Sequence, residues 1–313
     1  MQPLQLYKAS NNEASDDKAL IIPREPLPNI ATAIEAATRY LQGYQLSYAQ
    51  GTSAPEDDAA WLVLEAAGVS PVEPPDYALY LDATAIDRAE RFLRQRAEEH
   101  IPAAYITGRM WFAGMEFQVD KRVLIPRSPI AEFLLEDGFG LVEPAGVERV
   151  LDLCTGSGCI AVVASQVFDN AQIDASDISD DALAVARVNV DRYELQDRVQ
   201  LIRSDIFDAI DQRYDLIISN PPYVDREDMA ATGAEFQHEP ELGLVSGDDG
   251  LDAVRRILAE SHQYLKPGGS LVCEVGNSAD TLMAAFPDLP FNWLEFANGG
   301  MGVFSLSREQ LPC

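Results

Sequence analysis

The stretch that decides the fold of this chain is Leu151-Asp152-Leu153-Cys154-Thr155-Gly156-Ser157-Gly158. An apolar run leads into small residues and two glycines, which is the pattern of a strand, a tight turn and a helix start. Glycine lets a ligand approach the backbone closely and adopts angles that other residues avoid. Many nucleotide-binding folds contain a Gly-x-Gly turn, so the stretch predicts a ligand site at a strand end without identifying the ligand.

From residue 149 onward, strand and helix patterns alternate, which predicts a doubly wound α/β fold with a mostly parallel sheet. The predicted strands cover 149–154, 171–176, 199–203, 214–219 and 270–274. The predicted helices cover 159–168, 180–193, 250–265 and 279–286. Two further strands, 292–296 and 302–306, are expected to close the sheet as a hairpin with a tight turn, which makes seven strands.

The region before residue 149 has a different organisation. Residues 1–29 are polar and include Pro23, Pro26 and Pro28, so we predict a flexible leader. Residues 30–108 show helical spacing and are predicted to form a small helical domain. Its second helix should start at a capping box on Ser53 and stop at Gly68. Residues 109–124 are predicted to be a hairpin linker, and 125–313 the larger domain.

A second informative stretch, Asn220-Pro221-Pro222-Tyr223, follows the predicted strand 214–219 and lies 64 residues beyond Gly156. The side-chain oxygen of Asn220 and the carbonyl of Pro221 can each accept one hydrogen bond from a planar NH2 group. The prolines fix the backbone that carries these acceptors, and Tyr223 offers a flat face to a planar ligand. Alternatively, these four residues form an ordinary turn that ends a strand and have no role in ligand binding.

This arrangement suits a poor nucleophile. The nitrogen of an amide or a base-ring NH2 shares its lone pair with the neighbouring π system. Two acceptors fix the group and localise that lone pair, and positioning alone is worth roughly 7 kcal/mol or more. Together with the glycine turn, the pattern predicts methyl transfer from S-adenosylmethionine to a planar amino group. Asn220, Pro221 and Tyr223 are the predicted catalytic residues, and Pro222 is a further substrate contact.

Two carboxylates sharpen the prediction of a cofactor site. Asp177 ends the second strand, where an acid can accept both ribose hydroxyls; alternatively it caps the following helix beside Ser179. Asp205 ends the third strand and could accept the adenine amino group while Ile206 packs on the ring; alternatively it is a plain loop acid. Asp152 either steadies the glycine turn or meets the methionine amino group. The full set predicted to bind the cofactor is Asp152, Cys154, Thr155, Gly156, Ser157, Gly158, Asp177, Ile178, Asp205, Ile206 and Asn220.

The charge balance bears on the partner. The 313 residues include 51 acidic and 23 basic side chains, for a formal net charge of −28. Residues 1–120 and 121–313 are both acidic, so both parts repel phosphate backbones and argue against direct nucleic-acid binding. A basic protein partner is favoured, because opposite charges speed encounter. Adaptation to a salty habitat would produce the same balance, and the sequence leaves both explanations open.

Cysteine usage and hydropathy bear on the compartment. The four cysteines form no Cys-x-x-Cys pair, so we predict neither a metal site nor a disulfide framework. Free thiols are typical of a reducing compartment, which indicates the cytoplasm. No apolar run has the length that spans a bilayer, so no membrane partner is expected.

Beyond the two motifs, the chain resembles the protein glutamine N-methyltransferases over about 31–313. The resemblance rests on the glycine turn, on Asn220–Tyr223, and on the segments 101–108, 123–127, 238–244 and 246–251. These enzymes modify the glutamine side-chain amide of a Gly-Gly-Gln segment in translation proteins. The resemblance implies a seven-stranded class I methyltransferase sheet, S-adenosylmethionine as cofactor, and a substrate-recognition role for the helical domain. It also implies that Asn220 and Pro221 hold the amide while Tyr223 lines its slot.

The family has two main branches, one for peptide-chain release factors and one for ribosomal protein L-three of the large subunit. The release-factor branch typically continues Pro-Arg with Pro-Asp-Thr-Glu, whereas this chain has Ser128-Pro129-Ile130-Ala131-Glu132. The segments 111–117 and 292–300 are similar to the ribosomal branch, which implies that basic ribosomal protein as substrate. The alternatives are a release-factor enzyme, a nucleic-acid adenine amino methyltransferase, or a ribosome-assembly binder without turnover.

Overall fold

The computed structural model describes residues 20–70 and 74–313. The N-terminal part of the described chain forms four helices. Their bounds are α1 (Ile30–Leu41), α2 (Pro55–Ala67), α3 (Ala83–Glu98) and α4 (Ala103–Thr107). The side chains of Asn29 and Asp82 cap α1 and α3 by accepting backbone N–H groups. The apolar faces of α1, α2 and α3 pack together around a buried cluster that includes Ile30, Leu62 and Leu93.

The predicted capping box on Ser53 is wrong. Ala54 is the N-cap of α2, and Pro55 occupies the first turn, where its missing N–H is not needed. The Asp57 carboxylate reaches back and accepts the N–H of Ser53 at 2.9 Å. The helix does end at Gly68, which adopts the left-handed conformation with φ 69°.

The predicted flexible leader covered residues 1–29, of which 1–19 lie outside the described residues. Residues 21 and 22 pack on α3 instead of extending away from it. Glu90 of α3 accepts the backbone N–H groups of Ile21 and Ile22 at 2.9 and 3.1 Å, and the Ile22 side chain is fully buried. Burial of the Ile22 side chain and the hydrogen bonds to the buried Glu90 carboxylate hold this segment on the helix.

The predicted hairpin after α4 is confirmed. Strands β1 (Arg109–Phe112) and β2 (Met115–Gln118) are antiparallel, with Trp111 opposite Glu116. The helix that follows is α5 (Ile130–Leu135).

The remaining chain forms the seven-stranded sheet that the sequence predicts. Its strands are β3 (Arg149–Leu153), β4 (Gln172–Asp177), β5 (Val199–Arg203), β6 (Tyr214–Ser219), β7 (Leu265–Glu274), β8 (Asn292–Trp293) and β9 (Val303–Ser307). The helices are α6 (Cys159–Val167), α7 (Asp180–Arg192), α8 (Arg226–Ala231), α9 (Asp252–Tyr264) and α10 (Ala279–Ala285). The strand order is β5-β4-β3-β6-β7-β9-β8, and β9 is antiparallel to both of its neighbours. This is the mostly parallel class I methyltransferase sheet.

The strand order reverses direction between β3 and β6, which pair in parallel. In their register Leu153 lies opposite Ser219, so the two strands end side by side. Ligands of doubly wound sheets bind at such a switch point, beyond the carboxyl ends of the strands. The glycine turn after β3 and the Asn220 turn after β6 are therefore neighbours.

The closing hairpin differs from the prediction of a tight turn. Strand β8 has only two residues, and a loop over 294–302 connects it to β9. The Glu132 carboxylate holds this loop by accepting the N–H groups of Ala297 and Asn298 at 2.5 and 3.0 Å. A long-range contact to α5 thus takes the place of the predicted tight turn.

A buried arginine joins the helical part to the loop region after β6. Arg96 of α3 is 2% exposed and donates to Asp58 of α2 at 2.6 Å. It also donates to the carbonyl of Ser47 at 2.6 Å and to Glu235 at 3.0 Å. Glu235 lies in the short 3-10 helix Ala234–His238, so one guanidinium connects three separate segments.

We expect Arg96→Met to destabilise the fold by about 3–5 kcal/mol, because Asp58 and Glu235 would remain buried without their partner. The matched control is Arg203→Met, since Arg203 pairs with Asp180 on the surface, where the side chains are 66% and 75% exposed. That change should cost about 1 kcal/mol or less. Urea unfolding monitored by circular dichroism gives both values, and equal losses would contradict the role of Arg96.

Candidate active site

A cavity of about 360 Å³ opens at the switch point of the sheet. The loops that follow β3, β4 and β5 form its wall, through residues 154–157, 176–179 and 204–206. Asn220 after β6 completes it, together with Arg127, Leu242 and Arg256 from more distant segments. With the exception of Asp152 and Gly158, which support the glycine turn, the residues predicted to bind the cofactor all line this cavity.

The backbone of the glycine turn adopts the left-handed conformation at three positions. Cys154, Gly156 and Gly158 all have positive φ angles, of 60°, 55° and 79°. For the cysteine this left-handed conformation costs about 1–2 kcal/mol, so the surrounding contacts must hold it. Asp177 provides one of them by accepting the N–H of Gly156 at 2.9 Å. Burial raises the pKa of the Cys154 thiol well above its ordinary value, and the nearby Asp177 and Asp152 add to this effect.

Asp152 supports the same turn from inside the sheet. It is fully buried, and its Oδ2 accepts the Thr155 hydroxyl at 2.5 Å and the Ala161 N–H at 3.1 Å. Its Oδ1 is buried and has no hydrogen-bond partner among the described residues. Burial raises the pKa of this carboxyl to about 7. The contacts of Asp152 agree with the prediction that it steadies the glycine turn.

Asp177 and Asp205 both lie at strand ends beside the cavity. Asp177 accepts the N–H of Ser179 at 2.9 Å, while Ser179 itself caps α7. The helix-cap alternative for Asp177 is therefore wrong. Burial raises the pKa of Asp177. Asp205 is half exposed and accepts from Arg256 of α9 at 2.6 Å, and Ile206 beside it has a φ of 51°.

A second cavity, of about 350 Å³, lies on the other side of Asn220. Pro221, Tyr223 and Phe236 line it, and so does Ala49 from the loop between α1 and α2. Asn220 is in the wall of both cavities. Its Oδ1 is buried and has no hydrogen-bond partner within the described chain. A buried acceptor without a donor costs about 1–3 kcal/mol, so this atom is prepared for a donor that arrives with a ligand.

Tyr223 is held from three directions. Its hydroxyl donates to Glu274 at 2.9 Å, and its carbonyl accepts the Ser278 hydroxyl at 2.7 Å. Its ring packs against Gly276, where any side chain would collide with it. Burial, the nearby Glu274 charge and the hydrogen bond to Glu274 all raise the pKa of Tyr223. The ring is therefore a rigid part of the wall of the second cavity.

The sequence reasoning missed three side chains of this site: Arg127, Arg256 and Glu274. Arg127 lines both cavities and pairs with the buried Glu239 at 2.9 Å. Glu274 carried a usable signal, because a charged residue directly follows the apolar run 271–273 in the strand beside the one that leads to Asn220. Arg256 carried none, since its partner Asp205 is 51 residues away in the chain.

Residues 20–70 and 74–313 hold neither a metal-binding cluster nor a membrane-spanning helix. They contain no group of three or more His, Cys, Asp or Glu side chains placed to hold a metal ion. They also contain no helix that is long and apolar enough to cross a membrane.

The buried Asp152 predicts a pH dependence of stability. Its pKa is about 7 in the folded chain, and an aspartate in an unfolded chain titrates near 3.9. Between these values the folded state retains the proton longer, so this group makes the free energy of unfolding fall as pH rises. Asparagine does not titrate, so Asp152→Asn should lack this loss. Between about pH 4 and pH 8 its free energy of unfolding should rise relative to that of the wild type by up to roughly 4 kcal/mol.

Urea unfolding of both proteins across that range measures the difference. Asp169→Asn, which changes an exposed aspartate, is the control and should follow the wild type. A difference between Asp152→Asn and wild type that stays constant with pH would rule out the raised pKa.

Comparison with known proteins agrees with this geometry. The family model for the methyltransferase small domain matches residues 141–248. A ribosomal protein uL3 glutamine methyltransferase from Neisseria gonorrhoeae is 44% identical over 294 residues, which cover 92% of this chain and 97% of the relative. One from Neisseria meningitidis is 44% identical and covers 92% and 95%. The family that the sequence motifs indicated is confirmed: the chain belongs to the ribosomal protein uL3 glutamine methyltransferases.

Proposed function

We propose that this protein transfers a methyl group from S-adenosylmethionine to the side-chain amide nitrogen of a glutamine in ribosomal protein uL3. The observation that carries the proposal is the buried, unpartnered Oδ1 of Asn220 in the wall shared by two cavities. One cavity suits the methyl donor and the other the methyl acceptor. The names of the two Neisseria relatives supply the substrate.

The first cavity fits S-adenosylmethionine in size and chemistry. About 360 Å³ lies within the usual range for small-molecule sites. The carboxylates of Asp177 and Asp205, which line this cavity, would accept hydrogen bonds from the ribose hydroxyls and the adenine amino group, and Ile206 would offer an apolar surface to the ring. When bound, the cofactor supplies a methyl group on a positively charged sulfur.

The residues around Asn220 hold the acceptor. Asn220 Oδ1 accepts one N–H of the glutamine amide and the Pro221 carbonyl accepts the other, which fixes the group and localises the nitrogen lone pair. The two prolines keep both acceptors in place. Because the nitrogen becomes acidic only as the new bond forms, these residues act as acceptors and no strong base is needed. Positioning of this kind accounts for roughly 7 kcal/mol or more of the barrier.

The helical part supplies recognition of the protein substrate. Ala49 from this part lines the second cavity, and Arg96 ties the part to Glu235, next to the cavity residue Phe236. The net charge of −28 favours a basic protein over nucleic acid. A ribosomal substrate places the reaction in the cytoplasm.

A direct experiment distinguishes the candidate substrates. Extract from cells that lack this protein is incubated with methyl-labelled S-adenosylmethionine and the purified enzyme, and mass spectrometry locates the label. We expect one new methyl group on a glutamine side chain of uL3. Label on a release factor would favour the alternative branch, label on RNA or DNA an adenine methyltransferase, and no label a binder without turnover.

Asn220→Ala tests the amide-holding role. We expect kcat to fall by about 100-fold or more, in line with the loss of a preorganised hydrogen bond at a reacting group. The dissociation constant for S-adenosylmethionine should change far less, since the other contacts of the first cavity remain. Asn170→Ala, at an exposed turn before β4, is the matched control. Normal turnover by the Asn220 variant would refute the role.

Ala49→Trp tests whether the second cavity receives the protein substrate. A large ring at this wall should obstruct the cavity and lower kcat/KM for the uL3 substrate by about tenfold or more. The affinity for S-adenosylmethionine should stay as in the wild type, because Ala49 lines the other cavity. Ala78→Trp, at an exposed position of the helical part, controls for a general effect of tryptophan. Equal kcat/KM in both variants would assign the substrate to another surface.

A further inference from the structure

We propose that Glu274, acting through Tyr223, stabilises the positive charge that forms on the glutamine nitrogen during methyl transfer. The inference rests on the proposed function and adds to it a positioning residue that lies behind the wall of the acceptor cavity. Tyr223 is the group that meets the substrate, and Glu274 acts on it from within the protein.

The Glu274 carboxylate accepts hydrogen bonds from two side-chain hydroxyls. Glu274 is the last residue of β7, is 5% exposed, and accepts the Tyr223 hydroxyl at Oε1 over 2.9 Å. Its Oε2 accepts the Ser128 hydroxyl over 2.5 Å. Two hydroxyl donors on two oxygens are the arrangement that an ionised carboxylate requires. The Tyr223 ring then connects this buried charge to the second cavity.

The reaction needs such a charge. The amide nitrogen donates its lone pair to the methyl carbon, an N–C bond forms, and the electrons of the broken C–S bond remain on sulfur. The positive charge passes to nitrogen, which afterwards loses one proton to water and becomes a neutral N-methyl amide. A hydrogen bond from a phenol to a carboxylate increases electron density in the ring. An electron-rich ring attracts a cation at its face more strongly.

A purely structural role for Glu274 would be to hold Tyr223 in place, and glutamine can do that equally well. Gln at this position keeps the size and can still accept from Tyr223, but it carries no charge. Charge and position are therefore separable by one substitution, Glu274→Gln.

The charge state of Glu274 depends on its surroundings. Burial raises the pKa of Glu274, while the hydrogen bonds from Ser128 and Tyr223 and the charge of Arg127 oppose the shift. Cys273, its neighbour in β7, is a buried thiol whose pKa is well above the ordinary value, so it stays neutral. Arg127 is itself paired with Glu239. The charged form of Glu274 is the active form, so its contribution should be lost as pH falls through the raised pKa.

The first test compares kcat of wild type and Glu274→Gln on a uL3 glutamine substrate, at saturating cofactor and across pH. We expect the wild type to be about 10- to 100-fold faster at neutral pH, the size of an effect of a charged hydrogen bond. The ratio should approach one as pH falls, because protonated Glu274 resembles glutamine. Ser128→Ala removes one donor and should move this change to higher pH.

A binding measurement provides a readout independent of turnover. Sinefungin carries a protonated amine where the cofactor has its methylated sulfur, and S-adenosylhomocysteine is neutral at that position. We expect Glu274→Gln to weaken binding of sinefungin more than binding of S-adenosylhomocysteine, measured by calorimetry. The Tyr223→Phe variant breaks the connection, so adding Glu274→Gln to it should change neither kcat nor this preference further.

Separate outcomes overturn the two proposals. A wild type that does not methylate uL3 glutamine refutes the proposed function. A wild type that does, together with a Glu274→Gln variant of equal kcat and equal sinefungin preference, refutes only the role of Glu274. A slower Gln variant whose ratio to wild type does not change with pH also refutes it, since the loss would then be structural.

Discussion

The parallel register between β3 and β6 is the constraint on which the rest of the site depends. Because Leu153 and Ser219 are opposite each other, the two loops that follow must meet at one edge of the sheet. One loop supplies a backbone that can approach a nucleoside closely, and the other supplies the acceptors of Asn220 and Pro221. A slip of one residue would turn the side chains of β6 to the opposite face and separate the two functions.

Buried ionic groups join the parts of the molecule that the sheet alone does not align. Arg96 connects α2 and α3 to the segment that contains Glu235, and Arg127 connects the region before α5 to Glu239. Such pairs contribute little net stability, yet a misplaced partner is costly, so they select one arrangement of the segments. The wall of the second cavity is fixed in this way between the helical part and the sheet.

Features that depend on neighbouring residues could be predicted from the sequence, whereas features that depend on contacts between distant residues could not. The strands, the glycine turn and the Asn220 turn depend on neighbouring residues. Their periodicity and residue types therefore predicted the sheet and the edge at which the two cavities lie. The loop at 294–302 is set by Glu132, far away in sequence, and the partners of Arg96 and Asp205 are equally remote. No local pattern encodes which distant carboxylate a given arginine will meet.

The state of Cys154 has a consequence for a protein that handles an alkylating agent. This thiol lines the cavity that we assign to the methyl donor, and only an ionised thiol is a strong nucleophile. Burial and two neighbouring carboxyl groups keep it protonated. A protonated thiol is a weak nucleophile, so we expect Cys154 to resist alkylation by a methyl donor bound in this cavity.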